Sequence, residues 1–137
     1  MLLGDKMKEV EVVASATIYE NKVLLTQRTD GQFKDLWEFP GGKVEPGETH
    51  FETIIREMNE ELQVTVRPIE PLTTVTYQYP TFHLTMHVVI TEIIAGEVTL
   101  TEHASYQWIA QDKLDHIDWV PADIAVIDPL KLYLSNS

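Results

Sequence analysis

The segment from Thr49 to Val64 restricts the fold of this chain more than any other. Its sequence, THFETIIREMNEELQV, can begin a helix at Thr49 or its neighbour, with Glu52 three residues on, as in a capping box. At about 100° of rotation per residue, its apolar side chains form one stripe that we expect to be buried. The stripe comprises Phe51, Ile55, Met58 and Leu62, with Ile54 at its edge. A helix that buries one face requires a sheet or other helices to cover it.

The segments on either side of the helix predict the strands of such a sheet. EVEVVASATI, from Glu9 to Ile18, and the VLL-containing run from Lys22 to Gln27 predict two strands, with a turn at Glu20-Asn21 between them. Further strands are predicted at Val64–Arg67, Leu72–Tyr79, Phe82–Ile94 and Tyr106–Ile109. A closing helix is predicted from Pro121 to Tyr133, kinked or shortened by Pro129. The pattern indicates an α/β fold in which helices cover a sheet.

Residues 29–48, TDGQFKDLWEFPGGKVEPGE, precede the helix and show no periodicity. Gly, Pro and Asp are frequent there, so we expect a loop, and loops of this length in compact domains are usually functional. Gly41, Gly42 and Gly47 permit a tight turn whose backbone can approach an ion or a phosphate closely.

Three acids, Glu57, Glu60 and Glu61, lie within about one turn of the predicted helix, at spacings that bring side chains into contact. In a helical projection they lie on the side turned away from the apolar stripe. They are either a solvated acidic face or ligands for a hard divalent cation such as Mg²⁺, which prefers oxygen atoms. Glu52 lies four residues before Arg56, a pair that helix stability alone explains.

The net charge of the chain restricts the classes of partner that it can bind. The formal net charge of -12 disfavours binding to DNA or RNA, whose phosphate backbones require basic surfaces. A small phosphorylated ligand is compatible with this charge if cations screen the acids. We therefore expect a small-molecule partner and no nucleic acid polymer.

The chain also has features that bear on its location. No segment approaches the roughly 18 apolar residues of a membrane span, so we expect no membrane partner. There is no cysteine, and the start, MLLGDKMKEV, lacks the pattern of a secretory signal, which makes a cytoplasmic setting the expectation. A length of 137 residues fits one domain, residues 1–137.

The loop and helix together resemble the Nudix box, Gx5Ex7REUxEExGU, in which U is aliphatic. The matching residues, at the required spacings, are Gly42, Glu48, Arg56, Glu57, Met58, Glu60, Glu61 and Val64. One position departs from the box, because Gln63 stands where the family has glycine. A left-handed residue commonly ends a helix at such a position, so a side chain there costs on the order of 1 kcal/mol or reshapes the cap.

The resemblance implies the Nudix fold, an α/β/α sandwich with a central mixed β-sheet and a loop-helix-loop. It also implies hydrolysis of a nucleoside diphosphate linked to another group, with Mg²⁺ or Mn²⁺. By similarity, Glu57, Glu60, Glu61 and the Gly41 carbonyl would bind the metal, while Arg56 would orient the glutamates. Gly42 and Glu48 would support the box.

The resemblance extends beyond the box. Three stretches, LLTQR, WEFPGGKVEPGE (which overlaps the start of the box) and WVPADIAV, resemble the MutT-type branch, which includes 8-oxo-dGTP diphosphatases and CTP pyrophosphohydrolases. The branch implies hydrolysis of a (deoxy)nucleoside triphosphate, including oxidised or otherwise damaged ones, to monophosphate and pyrophosphate. Glu102 is then a candidate metal ligand or general base, or simply a loop acid.

The same branch suggests residues that contact the nucleotide. Arg28 is a candidate contact or a strand-end charge, and Asp123 is a candidate reader of the base edge or a helix cap. Phe39, Tyr79 and Phe82 are candidates for stacking on the base or for the core. His83 and His87, four residues apart on one predicted strand, are more readily explained as structural residues than as a metal pair.

Other functions stay open at this stage. The substrate is alternatively a dinucleoside polyphosphate, an ADP-ribose-type sugar or a capped RNA end, and a nucleotide-sensing domain without turnover is a further reading. The sequence leaves open whether the protein is a monomer or a homodimer.

Overall fold

The computed structural model of the chain describes residues 7–136. Its elements, in chain order, begin with strands β1 (Lys8–Tyr19), β2 (Lys22–Gln27), β3 (Trp37–Glu38) and β4 (Gly41–Lys43). Helix α1 (His50–Leu62) follows, then strands β5 (Thr65–Gln78), β6 (Phe82–Ala95) and β7 (Ser105–Ala110), and helix α2 (Ile127–Ser135). Residues 1–6, part of the N-terminal stretch considered above, and Ser137 lie outside the described residues.

The strands form one mixed, seven-stranded sheet. Its central path runs β3-β2-β1-β6-β5, with β1 and β6 parallel over ten residue pairs from Lys8↔Phe82 to Thr17↔Thr91. The β1–β2 and β5–β6 pairs are antiparallel, β4 pairs with β1, and β7 pairs with β2. The long strand β1 therefore contacts both the central strand β6 and the glycine-containing strand β4.

Alternation along the strands divides the core into two layers. Val13, Leu24 and Val89 pack with Ile54 and Met58 of α1 on one face. On the other face, alternate strand residues pack with the C-terminal segment, including Ala14, Leu25, Ile90, Val126 and Leu130. Helices thus cover both faces of the sheet, which confirms the predicted α/β/α sandwich.

Two details of the predicted strands are wrong. The segments expected at Val64–Arg67 and Leu72–Tyr79 belong to the single strand β5, in which irregularities between Pro68 and Glu70 and between Pro71 and Thr73 absorb two prolines that lack an N–H donor. The segment 29–48 is also not entirely loop, because it contains the short strands β3 and β4. The remaining predicted strands are present within about two residues, and Glu20 and Asn21 form the predicted turn with φ of 49° and 63°.

Helix α1 begins as predicted, but its buried face is rotated from the expected one. The Thr49 side chain accepts from the Glu52 N–H, and the Glu52 carboxylate accepts from the Thr49 N–H, which completes the capping box. The buried residues are Thr53, Ile54, Met58 and Leu62, while Phe51 and Ile55 are 38% and 39% exposed. The helix turns its Ile54 side to the sheet.

The C-terminal segment follows the expectation that Pro129 shortens the helix. Residues Pro121–Val126 form a 3-10 helix, and α2 begins only at Ile127. Pro129 then lies in the first turn of α2, where its missing N–H has no intrahelical partner to lose. None of the described helices is long and apolar enough to cross a membrane.

Gln63, the departure from the box, ends α1 in the left-handed conformation, with φ 58° and ψ 33°. Its N–H donates to the Asn59 carbonyl at 3.0 Å, so the backbone adopts the cap that glycine would adopt. The helix therefore ends as the box requires, and the cost in free energy is that of holding Gln63, which has a Cβ, in the left-handed conformation.

We expect Gln63→Gly to raise the free energy of unfolding by about 1 kcal/mol, because glycine has no Cβ to oppose a left-handed conformation. Urea unfolding followed by circular dichroism measures the change. Gln107→Gly, at an exposed position of β7, is the matched control and should lower stability, since glycine weakens a strand. A destabilised Gln63→Gly variant would contradict the strain assigned to this cap.

Candidate active site

A cleft of about 810 Å³ opens on the face of the sheet opposite α1 and extends to the loops around β3 and β4. It brings together most of the candidate residues from distant parts of the chain. Those that line it are Arg28, Phe39, Gly41, Gly42, Glu61, Tyr79, Phe82, Glu102 and Asp123. The residues Glu48, Arg56, Glu57 and Glu60 are not among its lining residues; they form a connected group on and before α1.

Arg56 is the centre of that group. Its Nε and Nη2 atoms donate to the two carboxylate oxygens of Glu48 at 2.7 and 2.9 Å, and its Nη1 donates to Glu57 at 2.9 Å and Glu60 at 3.2 Å. Nη2 also donates to the Lys43 carbonyl at the end of β4 at 3.0 Å. One guanidinium thus links the helix acids to the preceding strand and loop.

Glu48 joins the loop to the helix in a second way. The Arg56 hydrogen bonds lower the pKa of Glu48 to about 2, against the effect of burial, and the Glu45 N–H and the Thr53 hydroxyl also donate to it. The expected Glu52–Arg56 pair is absent from the ion pairs of the described residues, because Glu52 is engaged in the capping box.

Two of the three helix acids are oriented toward the sheet edge and not toward solvent, which corrects the sequence-based projection. Glu57 is so close to Gly42 that a Cβ on residue 42 would lie 2.2 Å from the Glu57 Oε1 atom. Burial raises the pKa of Glu61 to about 7, assisted by the charges of Glu57 and Glu38 and opposed by His103. Burial also raises the pKa of Glu57, and Glu60 and Glu102 add to this effect.

Glu102 and its neighbour His103 approach the same acids from the loop before β7. The negative charge of Glu102 contributes to the raised pKa of Glu57, and its backbone carbonyl accepts from the Thr29 hydroxyl at 3.1 Å. The side chain of His103 is only 8% exposed, and its Nε2 lies 3.3 Å from a carboxylate oxygen of Glu38. Burial alone would lower the pKa of His103, but Glu38 and Glu61 raise it above its usual value.

Arg28 lies at the end of β2, and its Nη1 donates to both Glu38 oxygens at 3.3 Å. It therefore forms a strand-end ion pair and at the same time faces the cleft. Glu38 and His103 were not predicted as site residues. Their adjacency to Phe39 and Glu102 is the signal that was available, but neighbours on an extended chain point to opposite sides, so adjacency alone does not select them.

The other end of the cleft is aromatic. Phe39 is buried and stacks on Trp119 at a centroid distance of 5.1 Å, and Tyr79 is buried with its hydroxyl accepting from the Ala122 N–H at 3.1 Å. Phe82 is partly buried and stacks on Tyr79 at 4.8 Å. Phe39 and Tyr79 are therefore core residues that also form the cleft wall, and Phe82 is the most accessible of the three.

Asp123 lies at this aromatic end and is 4% exposed. The alternative that it caps a helix is wrong, because the 3-10 helix from Pro121 has no side-chain cap. Instead, its Oδ2 accepts from the Phe39 N–H at 2.8 Å. Burial raises the pKa of Asp123 well above its usual value, and the Phe39 N–H partly offsets this.

The acidic end fits a hard divalent cation. Among the described residues, the buried side-chain atoms without a hydrogen-bond partner are Glu61 Oε1, His103 Nδ1 and Arg28 Nε, and all three residues line the cleft. An unpaired buried carboxylate oxygen beside Glu57 and Glu102 is poorly accommodated without a cation or donor. Gly42 allows the Glu57 carboxylate to lie against the backbone of β4, because a Cβ at this position would collide with that carboxylate.

Comparison with known proteins identifies the family of the chain. Residues 9–130 match the NUDIX domain family, and the chain belongs to it. It is a Nudix hydrolase of the MutT-like type, and thus an enzyme related to pyrophosphohydrolases.

Its relatives cover nearly the whole chain. The 8-oxo-dGTP diphosphatase of Escherichia coli (strain K12) is 31% identical over 127 residues, which are 91% of this chain and 98% of that protein. The CTP pyrophosphohydrolase of the same organism is 30% identical and covers 89% of this chain and 91% of its own length. The solution structure of the E. coli ORF135 protein superposes with a TM-score of 0.83 at 28% identity, covering 99% of this chain and 97% of that chain.

The pKa of Glu61 gives a pH-dependent prediction. Its folded value of about 7 lies above the ordinary value of 4.5, so ionisation opposes folding as pH rises through this interval. In EDTA, we expect Glu61→Gln to match the wild type in stability near pH 4. It should exceed the wild type by on the order of 2 kcal/mol at pH 8, an amount reduced for partial exposure.

Chemical denaturation across this pH range measures the difference. Glu52→Gln, on the exposed side of α1, is the control and keeps an oxygen for the capping box. A stability gain for Glu61→Gln that is equal at pH 4 and pH 8 would contradict the assigned cause.

Proposed function

We propose that the protein hydrolyses (deoxy)nucleoside triphosphates, including oxidised or otherwise damaged ones, to the monophosphate and pyrophosphate in the presence of Mg²⁺ or Mn²⁺. The observation that carries this proposal is the two-ended cleft. An acidic end beside Gly41, Glu61 and Glu102 adjoins an aromatic end beside Phe82 and Asp123 within one volume of about 810 Å³. A nucleotide has the same division into a phosphate chain and a base.

At the acidic end, Glu57, Glu60, Glu61, Glu102 and the Gly41 carbonyl are the proposed metal ligands. Bound cations would neutralise the phosphates, polarise the attacked phosphorus and lower the pKa of a bound water. The net charge of -12 supports a role for cations, because an acidic cleft without them would repel a triphosphate.

The residues around the acidic end hold the proposed metal ligands in position. Arg56 holds Glu57 and Glu60 through its Nη1 atom while Glu48 holds the rest of the guanidinium, which limits the positions open to the helix carboxylates. Gly42 leaves room for the Glu57 carboxylate. Glu102 is the proposed general base, or otherwise a further ligand, because it faces the cleft while its charge acts on Glu57.

At the aromatic end, Phe82 is the proposed stacking surface for the base, with Phe39 and Tyr79 forming the wall behind it. Asp123 is proposed to bind the base edge, because one of its oxygens is committed to the Phe39 N–H while the residue lines the cleft. Arg28 is proposed to contact the nucleotide between the two ends. Its buried Nε has no partner among the described residues, although Nη1 pairs with Glu38.

The relatives support a free nucleotide as the substrate. Proteins about 30% identical over nine-tenths of this chain are named for 8-oxo-dGTP and CTP, both nucleoside triphosphates. Clearance of damaged nucleotides, with consequences for DNA repair, is the proposed role. A cytoplasmic location, one domain over residues 1–137 and a monomeric or homodimeric state stay predictions.

We expect Glu57→Gln and Glu60→Gln to lower kcat by several orders of magnitude, because each removes a charged oxygen ligand while preserving the shape of the side chain. Pyrophosphate release with saturating Mg²⁺ measures the effect, and circular dichroism verifies the fold. Glu52→Gln, on the same helix, should keep wild-type turnover. Full activity in either site variant would remove these residues from the catalytic site.

The substrate is tested with a panel of ordinary and damaged nucleoside triphosphates, nucleotide sugars and dinucleoside polyphosphates, in Mg²⁺ and in EDTA. We expect one triphosphate to dominate, to yield monophosphate and pyrophosphate, and to be inert in EDTA. If triphosphates are inert while a linked diphosphate is cleaved, the base-binding roles of Asp123 and Phe82 are wrong. Nucleotide binding without any turnover would instead indicate a sensing domain.

A further inference from the structure

A second group of potential metal ligands lies away from the cleft, at the first turn of α1. It consists of Glu11 on β1, His50 at the start of α1 and His87 on β6. Val10, Val12 and Met86 pack in the core layer opposite α1, so their chain neighbours Glu11 and His87 point to the other face of the sheet. That is the face on which α1 packs. His87 is paired with Val13, which packs against α1.

The three side chains converge. Glu11 Oε2 lies 2.8 Å from His87 Nε2 and 3.7 Å from His50 Nε2, and one ligand atom from each residue lies within 4.8 Å of the others. The two imidazoles stack with their centroids 3.9 Å apart and their planes 22° apart. Because metal–ligand bonds to nitrogen and oxygen are about 2.0–2.2 Å long, one ion between these atoms needs only small side-chain movements.

His87 is oriented for this role. Its Nδ1 lies 3.2 Å from the Thr74 hydroxyl on β5. When Nδ1 carries the proton and donates to Thr74, the lone pair of Nε2 faces Glu11 and His50. Metal-binding histidines are commonly held by such a hydrogen bond at the other ring nitrogen. His50 is 44% exposed, so its ring is free to turn out of the stack toward a common centre.

We propose that Glu11, His50 and His87 bind a divalent transition-metal ion of the Zn²⁺ type, with water completing its coordination. Two imidazole nitrogens and one carboxylate oxygen suit Zn²⁺, Co²⁺ or Ni²⁺, whereas the all-oxygen group on α1 suits Mg²⁺ or Mn²⁺. The protein then has two metal sites of different chemistry on the two sides of its sheet.

The ion would join three elements around the box loop. The backbone carbonyl of Glu11 accepts from the Val44 N–H at 3.2 Å, and His50 begins α1 directly after Thr49. The loop between Val44 and His50 carries Glu45 and Glu48, both partners of Arg56. An ion on Glu11 and His50 therefore ties the two ends of this loop together, so its binding should raise the thermal stability of the protein.

The same strand pair offers a matched control. His83 Nδ1 lies 3.0 Å from Glu9 Oε2, which reproduces a histidine–glutamate contact between β6 and β1 without a third ligand among the described residues. His83 and His87 are about 13 Å apart along β6 at 3.3 Å per residue, so they cannot share one ion. The ligands that join His87 are Glu11 on β1 and His50 on α1.

The test is Zn²⁺ titration of the EDTA-stripped full chain by calorimetry in excess Mg²⁺, which occupies the oxygen-rich site. We expect one Zn²⁺ per chain and a higher Tm. Thr74→Val should weaken Zn²⁺ binding about 10- to 100-fold, as loss of an outer hydrogen bond does, and Glu11→Gln, His50→Gln or His87→Gln should weaken it more. His83→Gln and Glu60→Gln should bind as the wild type does.

Three results would overturn the proposal. These are no Zn²⁺ binding to the wild type, an equal loss of affinity in His83→Gln, and loss in Glu60→Gln with retention in His87→Gln. The first would leave Glu11, His50 and His87 as a hydrogen-bonded ion-pair cluster only. The measurement uses no nucleotide, so its outcome is independent of the proposed triphosphate hydrolysis.

Discussion

The interaction on which the rest of the site depends is the contact of one guanidinium with the acids around it. Arg56 donates two hydrogen bonds to Glu48 and one each to Glu57, Glu60 and the Lys43 carbonyl. Planar, bidentate pairing of this kind is stronger and more directional than a contact between point charges. It holds acids close together that would otherwise repel each other, and it couples the helix to the strand carrying Gly41 and Gly42.

Burial then sets the chemistry of the cluster. At about 100° per residue, Glu61 lies within about 20° of Ile54, so rotating α1 to bury Ile54 also carries Glu61 toward the sheet edge. Without a cation its carboxylate is partly desolvated and its Oε1 has no partner, which raises its pKa to about 7. In the metal-free state the ionised Glu61 carboxylate therefore destabilises the fold, and a bound divalent cation would offset this destabilisation.

Strand alternation places the cleft and the Glu11–His50–His87 group on different sides of the same sheet. Along β1, Val10, Val12 and Ala14 lie on the face opposite α1 and line the cleft. Val13 packs against α1 and also borders the cleft where β1 pairs with Gly42. Most of the strand residues that line the cleft and the Glu11–His50–His87 group thus lie on opposite faces of the sheet. Strand β1 also pairs with β4, so the strand that carries Glu11 lies directly beside Gly41 and Gly42 of the box loop.

The sequence alone determined the capped helix and the main strands, because these depend on spacing and local propensity. It also carries the box, and the resemblance to the Nudix family singled out nine of the residues that line the cleft. Only the tertiary structure decided the rotation of α1, since Phe51 and Ile55 fit an apolar stripe as well as Ile54 does until the sheet selects one side. Likewise, packing of the C-terminal segment turned Asp123 into a buried partner of Phe39, and strand pairing brought Glu38 and His103 together. Contacts between residues 65 or more positions apart depend on how the chain folds back, and local sequence does not encode that.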